Sequence, residues 1–474
     1  MAAIRHGGSP PSVTGFLPVL ITNLLPLIGV LRFGWNPETL VAVYALELLL
    51  LFPLAGLKAL FAGRPPTADR ESGVISVTSN DLVDKRGSVP VHNHLPPIYP
   101  RNVPFAAAVV SGSAWIGLFI GLTLSNVLAV GDVLRRPEVL GSVFALVVGH
   151  LIETYDTYIR SGRYAEVSPY AVVEIPARQG FFLAFVFVAI PTAGAAGTTF
   201  ALAGFVFVKM LIEWSGFRAE RGGGGRLTDW LSGPASDATP VSPTVPDGIP
   251  EATIAVNRRS VVATAIWRAV TKTGPFYASM ATVVWLGMVA LFAGENQTPT
   301  LWAGAAVVAL SLFAVLFGGD IFSDVLAERW MTYRRIDDRL VAYDRLTETP
   351  QWSTPLSALR EAAVVETRLP DRCFGTRTLT VKTGWDDDAE RILGPVTNPE
   401  DLIETFDLPV QSTELPPLDQ RFASLAAISV GSIGAAIVAL LVTPFGSPTD
   451  GLYVLFLLPF VAIVPKGLWK LAHG

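Results

Sequence analysis

Repeated apolar stretches, long enough to cross a lipid bilayer as helices, constrain this chain more than any other feature. A helix needs about 20 apolar residues to span the hydrocarbon layer, and about ten windows approach this length. They are residues 16–31, 39–61, 103–130, 141–158, 180–194, 198–214, 275–293, 301–317, 422–442 and 452–469. Charged residues make up 16% of the chain, against about 25% in a soluble domain. The sequence therefore predicts an α-helical, multi-pass integral membrane protein and excludes an ordinary cytosolic enzyme.

The distribution of Lys and Arg orients these spans, because cytoplasmic loops carry the excess of positive charge. The short links near Gly194, Gly294 and Gly446 carry none, so we place them outside the cell. Four longer segments carry several, at residues 63–102, 160–178, 217–274 and 319–421. These four segments and both termini are predicted to lie in the cytoplasm, and the protein itself in the plasma membrane.

Changes in composition divide the chain into successive parts. They are a tail at 1–15, a six-span domain at 16–216 with a loop at 63–102, a cytoplasmic segment at 217–274, spans seven and eight at 275–328, a small β domain at 329–416, and spans nine and ten at 422–474. Within 217–274, a glycine run at 222–225 precedes five prolines between residues 234 and 250. Such a composition is typical of a flexible linker, because it buries too little apolar surface to fold.

The segment 329–416 changes to an alternation of apolar and polar residues, as half-buried strands require. The alternation predicts strands at residues 339–343 and 376–383, with further candidates at 351–356 and 361–366. A helix is predicted to follow at 398–406, because Asn398 suits the cap and Pro399 suits the first turn. The segment is therefore expected to fold as a small sheet closed by a helix.

Four motifs follow one another in this segment. They are Tyr-Arg-Arg-Ile-Asp-Asp-Arg-Leu-Val at 333–341, Pro-Leu at 355–356, Asp-Arg-Cys-Phe-Gly-Thr-Arg-Thr-Leu-Thr-Val at 371–381 and Pro-Val-Thr-Asn-Pro at 395–399. In this order they resemble the bacterial pleckstrin-homology-like domain, which multi-spanning membrane proteins often carry. The resemblance covers residues 329–416 and implies a bent β sandwich or partial barrel closed by a C-terminal helix. It supplies no catalytic residue that transfers to this chain.

The charge of the β domain bears on its partners. Residues 331–420 contain 10 Lys and Arg against 17 Asp and Glu, a net charge of −7. Anionic membranes attract basic segments by about 1 kcal/mol per basic residue, so this surface favours protein contacts or self-association over inositol phosphates. The acidic run at 386–390 is interpreted as a solvated hairpin tip. Because the chain has no extended basic patch, we expect no nucleic-acid partner.

Among the ionisable residues inside predicted spans, where a charge is costly and marks a functional candidate, five are selected. They are Glu47 in the second span, His150 and Glu153 in the fourth, and Lys209 and Glu213 in the sixth. A spacing of three puts His150 and Glu153 on one helix face. A spacing of four lets Lys209 and Glu213 pair with each other. Two interpretations of Glu47, His150 and Glu153 stay open: a polar centre that relays protons or binds a metal, and an interhelical lock.

Signals for metals, nucleophiles and cofactors are few. His150 and Glu153 are weak metal candidates, because di-metal helical bundles use more carboxylates and histidines. His92 and His94 alternate in a loop without a third ligand at a suitable spacing, and the single cysteine, Cys373, excludes an internal disulfide. No phosphate-binding lysine, paired-histidine zinc motif or nucleophile elbow occurs. We therefore predict no catalytic residue and no cofactor.

The balance of charged residues also indicates a host environment. Seven lysines stand against 28 arginines, and the net charge is −5. An acidic, lysine-poor composition suits a salt-rich cytoplasm, as in a halophilic archaeon. A genome of high GC content would favour arginine in the same way.

Several short motifs in the first half resemble a second family. They are Leu25-Pro26-x-x-Gly29, Phe33-Gly34-Trp35, Tyr44-x-x-Glu47, His150, Arg163-Tyr164, and Lys209 with Glu213. Together they resemble a prokaryotic membrane family known only as a domain of unknown function, over residues 15–220. The resemblance implies no activity, but it includes the same ionisable residues that the cost of buried charge selects.

Three functions follow from these observations. The first is a non-enzymatic membrane scaffold or sensor whose β domain at 329–416 binds protein partners or further copies of the chain. The second is a small-solute or proton-coupled transporter that uses Glu47, His150 and Glu153. The third is an intramembrane enzyme acting on lipid, which the lack of catalytic motifs disfavours.

Overall fold

The computed structural model divides the chain into two compact units. Unit 1 contains residues 1–79 and 88–240, and unit 2 contains residues 80–87 and 241–474. The structure describes residues 28–30, 32–66, 82–125, 130–174, 176–177, 180, 204, 206–211, 214–215, 245, 248–271, 274–292, 299–383, 390–442 and 463–473.

Unit 1 is built around helix α1 (Pro37–Leu60). Asn36 begins the helix, because its side-chain oxygen accepts a hydrogen bond of 3.0 Å from the backbone N–H of Glu38. Helix α1 packs against α2 (Val103–Ser125), the short α3 (Val130–Leu134) and α4 (Pro137–Glu153). The core between these elements includes Leu40, Tyr44, Leu48, Phe52, Phe105 and Tyr170.

The C-terminal end of α1 is capped by residues from the end of the 63–102 loop. The side-chain amide of Asn102 donates to the carbonyl oxygens of Ala59 and Ala62, at 2.9 and 2.8 Å. The guanidinium of Arg101 donates to the carbonyl of Gly63. The last carbonyls of a helix have no partner within the helix, and Asn102 supplies one to Ala59, while both side chains also bind the residues that follow α1.

In unit 2, three helices separate the first strand of a sheet from the second along the chain. Strand β1 (Ala252–Ala255) is followed by α5 (Arg258–Thr271), α6 (Gly274–Phe292) and α7 (Pro299–Glu328) before the second strand begins. The first sheet therefore starts within the predicted cytoplasmic segment 217–274, and it extends beyond the segment 329–416 that the sequence indicated.

Two antiparallel sheets make up the rest of this domain. Strands β2 (Met331–Ile336), β3 (Arg339–Asp344) and β4 (Thr349–Pro355) continue the first sheet in the order β1-β2-β3-β4. Strands β5 (Leu359–Val364), β6 (Arg377–Thr383) and β7 (Glu390–Val396) form the second, with α8 (Leu369–Phe374) between β5 and β6. Helix α9 (Pro399–Phe406) follows. Their common core includes Tyr333, Leu340, Leu379, Leu393, Leu402 and Phe406.

The sequence predicted these local elements well. All four predicted strands overlap β3 to β6, and the predicted helix is α9. The expected cap is wrong in one detail: the amide of Asn398 donates to the Asp401 carboxylate at 3.1 Å, and it makes no capping bond to the helix backbone. The acidic run at 386–390 lies, except for Glu390, outside the described residues.

Helices α10 (Gln420–Val442) and α11 (Ile463–Leu471) complete the chain. Among the described residues, three helices are long and apolar enough to cross a membrane: Glu38–Leu60, Pro137–Arg160 and Trp302–Glu328. They correspond to the predicted second, fourth and eighth spans, and the shorter apolar helix Ser279–Leu291 corresponds to the seventh. The predicted windows 16–31, 180–194, 198–214 and 452–469 lie in large part outside the described residues. The count of about ten spans therefore stays a prediction.

Candidate functional site

The middle of helix α1 carries a buried carboxylate, Glu47. Its Oε1 atom lies 2.8 Å from the Nζ atom of Lys209, on the helical residues 206–211, and the two side chains are only 3% and 2% exposed. Lys209 Nζ also lies 5.1 Å from the centre of the Tyr44 ring. Lys209 is thus buried against Glu47, and its predicted pairing with Glu213 stays a prediction because Glu213 lies outside the described residues.

Helix α4 brings His150 and Glu153 to the same carboxylate. His150 Nε2 lies 3.6 Å from Glu47 Oε1, and His150 Nδ1 lies 3.5 Å from Glu153 Oε2. The spacing of three residues does place His150 and Glu153 on one face, as predicted. Lys209, Glu47, His150 and Glu153 therefore form one set of side chains, which we call the unit 1 cluster.

Exposure rises along the unit 1 cluster from one end to the other. Lys209 and Glu47 are buried, His150 is 24% exposed, and Glu153 is 52% exposed. The chain of ionisable groups thus runs from the interior of unit 1 to its surface. Such a gradient is what a proton needs to pass between solvent and a buried acid, because each neighbouring group can accept and release it.

Two atoms of the unit 1 cluster have unused bonding capacity. Glu47 Oε2 and His150 Nε2 are buried and have no hydrogen-bond partner among the described residues. A buried polar atom without a partner is costly, and native proteins keep few of them. The separations of 3.5 and 3.6 Å around His150 are also longer than a well-formed hydrogen bond. The cluster is therefore not the fully bonded arrangement expected of a purely structural lock.

The backbone changes immediately after Glu153. Residues Thr154–Arg160 form a π-helical turn that continues α4. Tyr158, within this turn, donates its hydroxyl to the carbonyl oxygen of Lys58 at 2.8 Å, near the end of α1. Single π-helical turns inside α-helices are rare and occur frequently at functional sites. The irregular turn therefore lies at the exposed end of the unit 1 cluster.

The other ionisable candidates do not join this cluster. His92 and His94 are exposed, and the backbone N–H of His94 donates to His92 Nδ1 at 3.2 Å. Among the described residues, no group of three or more His, Cys, Asp and Glu side chains is placed to hold a metal ion. His150 and Glu153 accordingly have no third protein ligand in the part of the chain that the structure describes.

Sequence reasoning missed one buried acid in unit 1. Glu174 is 1% exposed, although residues 160–178 were assigned to a cytoplasmic segment. It stands between Val173 and Ile175, so an isolated acid in an apolar stretch was the available signal. Burying a carboxylate is costly, so Glu174 is a functional candidate on the same ground as Glu47.

A second set of buried and partly buried charges lies in unit 2, and we call it the unit 2 cluster. Its members are Lys85, Arg268, Asp324, Glu328 and Asp344. Arg268 Nη1 on α5 lies 2.5 Å from Glu328 Oε1 and 3.8 Å from Asp324 Oδ2 in the last turns of α7. Lys85 pairs with Asp344 at the end of β3. The only sequence signal was the spacing of four between Asp324 and Glu328.

Burial shifts the pKa of the lysine in the unit 2 cluster. The Lys85 side chain is 3% exposed and that of Asp344 is fully buried. Burial lowers the pKa of the Lys85 ammonium below its ordinary value, and the Asp344 carboxylate opposes that shift. A buried cation held by an adjacent carboxylate is a structural pair whose loss on either side is costly.

Comparison with known proteins shows a family match in the first half of the chain. Residues 9–225 match a family of unknown function, DUF6498, and this stretch includes every member of the unit 1 cluster. No curated protein and no solved structure matches the chain.

Proposed function

We propose that this protein is a proton-coupled transporter for a small solute, in which the unit 1 cluster takes up and releases the proton. The observation that carries this function is the graded series from Lys209 and Glu47 in the interior to Glu153 at the surface. Histidine is the side chain whose ordinary pKa lies nearest to neutral pH, and His150 stands between the two carboxylates. A membrane location, expected from the apolar helices, is part of this proposal.

In the proposed cycle, Glu153 and His150 exchange a proton with solvent and deliver it to Glu47. Protonation of Glu47 removes the negative charge that holds Lys209 at 2.8 Å. The buried Lys209 ammonium then loses its ion pair with Glu47, and weakening a buried ion pair is costly. The proton would thereby weaken the link between α1 and the helix of residues 206–211, which supplies the coupling to solute movement.

Proton flux into liposomes tests this function. The full-length protein is reconstituted with a pH-sensitive dye inside, and a potassium gradient with valinomycin drives proton entry. We expect flux above that of protein-free vesicles, and a loss of about tenfold or more in His150→Gln, since general acid–base groups typically contribute at least that much. His92→Gln is the matched control, because His92 is an exposed histidine outside the cluster.

Variants of Glu47 are tested in the same flux experiment. Glu47→Gln should abolish flux, whereas Glu38→Gln on the same helix should leave it unchanged, because Glu38 pairs with Arg136 and lies outside the cluster. If Glu47→Gln misfolds, the charge-free double variant Glu47→Leu with Lys209→Leu is expected to fold and still lack flux. Wild-type liposomes without flux, or His150→Gln with normal flux, would reject the proposal.

A scaffold or sensor is the second candidate function, and the route of the chain favours it. Helices α6 and α7 are inserted between β1 and β2, and α7 ends at Glu328 only two residues before β2. A protein bound to the acidic sheet domain would therefore act directly on two apolar helices. This domain resembles the pleckstrin-homology-like family by its sequence motifs alone, and its structure consists of two antiparallel sheets and α9.

Photo-crosslinking in native membranes tests the scaffold. A photoreactive residue is placed at Glu361, which is exposed on β5, and for comparison at Arg160 in unit 1, which is 76% exposed. Partners captured at Glu361 and not at Arg160 would support protein binding by the sheet domain. Capture of neither a partner nor a second copy at Glu361 would count against it. The third candidate, a lipid-acting enzyme, has no specific observation in its favour among the described residues.

A further inference from the structure

A short segment of the first predicted cytoplasmic loop belongs to unit 2, although the loop itself connects two parts of unit 1. Residues 80–87 lie within this unit, while residues 79 and 88 belong to unit 1. The segment contacts residues more than 240 positions away in the chain. Two side chains of the segment, Leu82 and Lys85, are 0% and 4% exposed.

Lys85 anchors the segment to the end of α7. Its Nζ atom donates to the carbonyl oxygens of Leu326 and Ala327, at 2.6 and 3.1 Å, and pairs with the Asp344 carboxylate. The other oxygen of Asp344 accepts the backbone N–H groups of Leu346 and Thr347, at 2.6 and 3.0 Å. One ammonium therefore caps the carbonyl end of a helix, where a cation is favoured, and neutralises a carboxylate fixed by a turn.

Arg86 binds through its backbone to strand β4 at the edge of the first sheet. Its N–H donates to Gln351 Oε1 at 2.7 Å, and its carbonyl oxygen accepts from Gln351 Nε2 and Thr349 Oγ1, both at 3.1 Å. Both backbone groups of Arg86 are thus bonded by side chains of β4.

Gly87 completes the fit. Its φ angle of +87° lies in the left-handed region that favours glycine, and a Cβ atom there would lie 2.5 Å from Thr349 Oγ1 and 2.7 Å from Thr347 Cβ. The sequence Lys85-Arg86-Gly87 therefore meets three separate requirements: a buried cation, a paired backbone and a residue without a side chain.

We infer that the sheet domain contains a binding site for a Lys-Arg-Gly segment, and that residues 82–87 of the same chain occupy it. The site consists of the carboxylate of Asp344, the last carbonyls of α7 and the side chains of Thr349 and Gln351. It is independent of the proposed transport, because none of these groups belongs to the unit 1 cluster. Unit 2 accordingly needs a segment from the first half of the chain to complete its hydrogen bonding.

Cysteine accessibility in the full-length protein tests this binding site. Cys373 is replaced by serine, and Leu82→Cys then reports whether the segment is bound, since Leu82 is fully buried. We expect maleimide to label this cysteine at least about tenfold more slowly than Val91→Cys in the same loop, where Val91 is 59% exposed. Equal labelling rates at the two positions would overturn the inference.

Three further variants identify the chemistry. Lys85→Met should raise the labelling of Leu82→Cys about tenfold or more, and Gln351→Ala should raise it less. Arg86→Ala removes the same charge as Lys85→Met, but it keeps the backbone bonds, so labelling should stay slow. A cysteine at the buried Val381 of β6 reports global unfolding. If Lys85→Met also exposes that cysteine, Gln351→Ala decides: unchanged labelling of Leu82→Cys in this variant rejects the site.

Discussion

The two buried charge clusters of this protein are made differently. In the unit 2 cluster, arginine and lysine face carboxylates and helix-end carbonyls, with bonds such as 2.5 Å for Arg268–Glu328 and 2.6 Å for Lys85–Leu326 O. In the unit 1 cluster, a histidine stands 3.5 and 3.6 Å from two carboxylates. Two buried atoms there lack partners among the described residues.

This difference separates a structural role from a functional one. A buried ion pair with short, multiple bonds is costly to break. A histidine between two carboxylates on a path to the surface can change its charge at little structural cost. We therefore interpret the unit 2 cluster as a structural lock and the unit 1 cluster as a proton site. Stability measurements test this distinction.

Lys85→Met should have the largest effect on stability. It leaves the buried Asp344 carboxylate without its cation, which typically costs about 3–5 kcal/mol of the free energy of unfolding. Thermal unfolding in detergent, followed by tryptophan fluorescence, measures the loss. The double variant Lys85→Met with Asp344→Leu should regain a large part of it, because no buried charge remains. A single variant as stable as wild type would show that the cluster is no lock.

Arg268→Lys should have an intermediate effect. Lysine keeps the charge but loses the planar fork that reaches both Glu328 and Asp324. We expect a loss of about 1.5–3 kcal/mol, the range of a hydrogen bond to a charged group. Denaturant unfolding of the detergent-solubilised protein measures it. Arg259→Lys on the same helix is the control, since Arg259 is exposed; an equal loss there would show a general effect of the substitution.

His150→Gln should have the smallest effect on stability. Because the contacts of His150 are long and one ring nitrogen has no partner among the described residues, we expect a change below about 1 kcal/mol. The same variant should lose proton flux in liposomes. A loss of stability as large as that of Lys85→Met would contradict the distinction and favour a second lock.

The site was partly predictable from the sequence. The cost of charge in an apolar helix selected Glu47, His150, Glu153 and Lys209 individually, and helical spacing placed His150 and Glu153 on one face. The contact of Lys209 with Glu47 was not predicted, because no local pattern relates Lys209 to a residue 162 positions away. The unit 2 cluster was missed, since its residues come from four separated parts of the chain.

What the sequence determined by itself is local. Apolar length indicated helices that can cross a membrane, and alternation indicated the strands β3 to β6, because each depends on neighbours within one helix or strand. The tertiary structure decided which distant segments complete one another: β1 joins β2 across three helices, and Lys85 joins Asp344 across half of the chain. These contacts depend on unpaired backbone groups and buried charges that find partners only when the chain is folded.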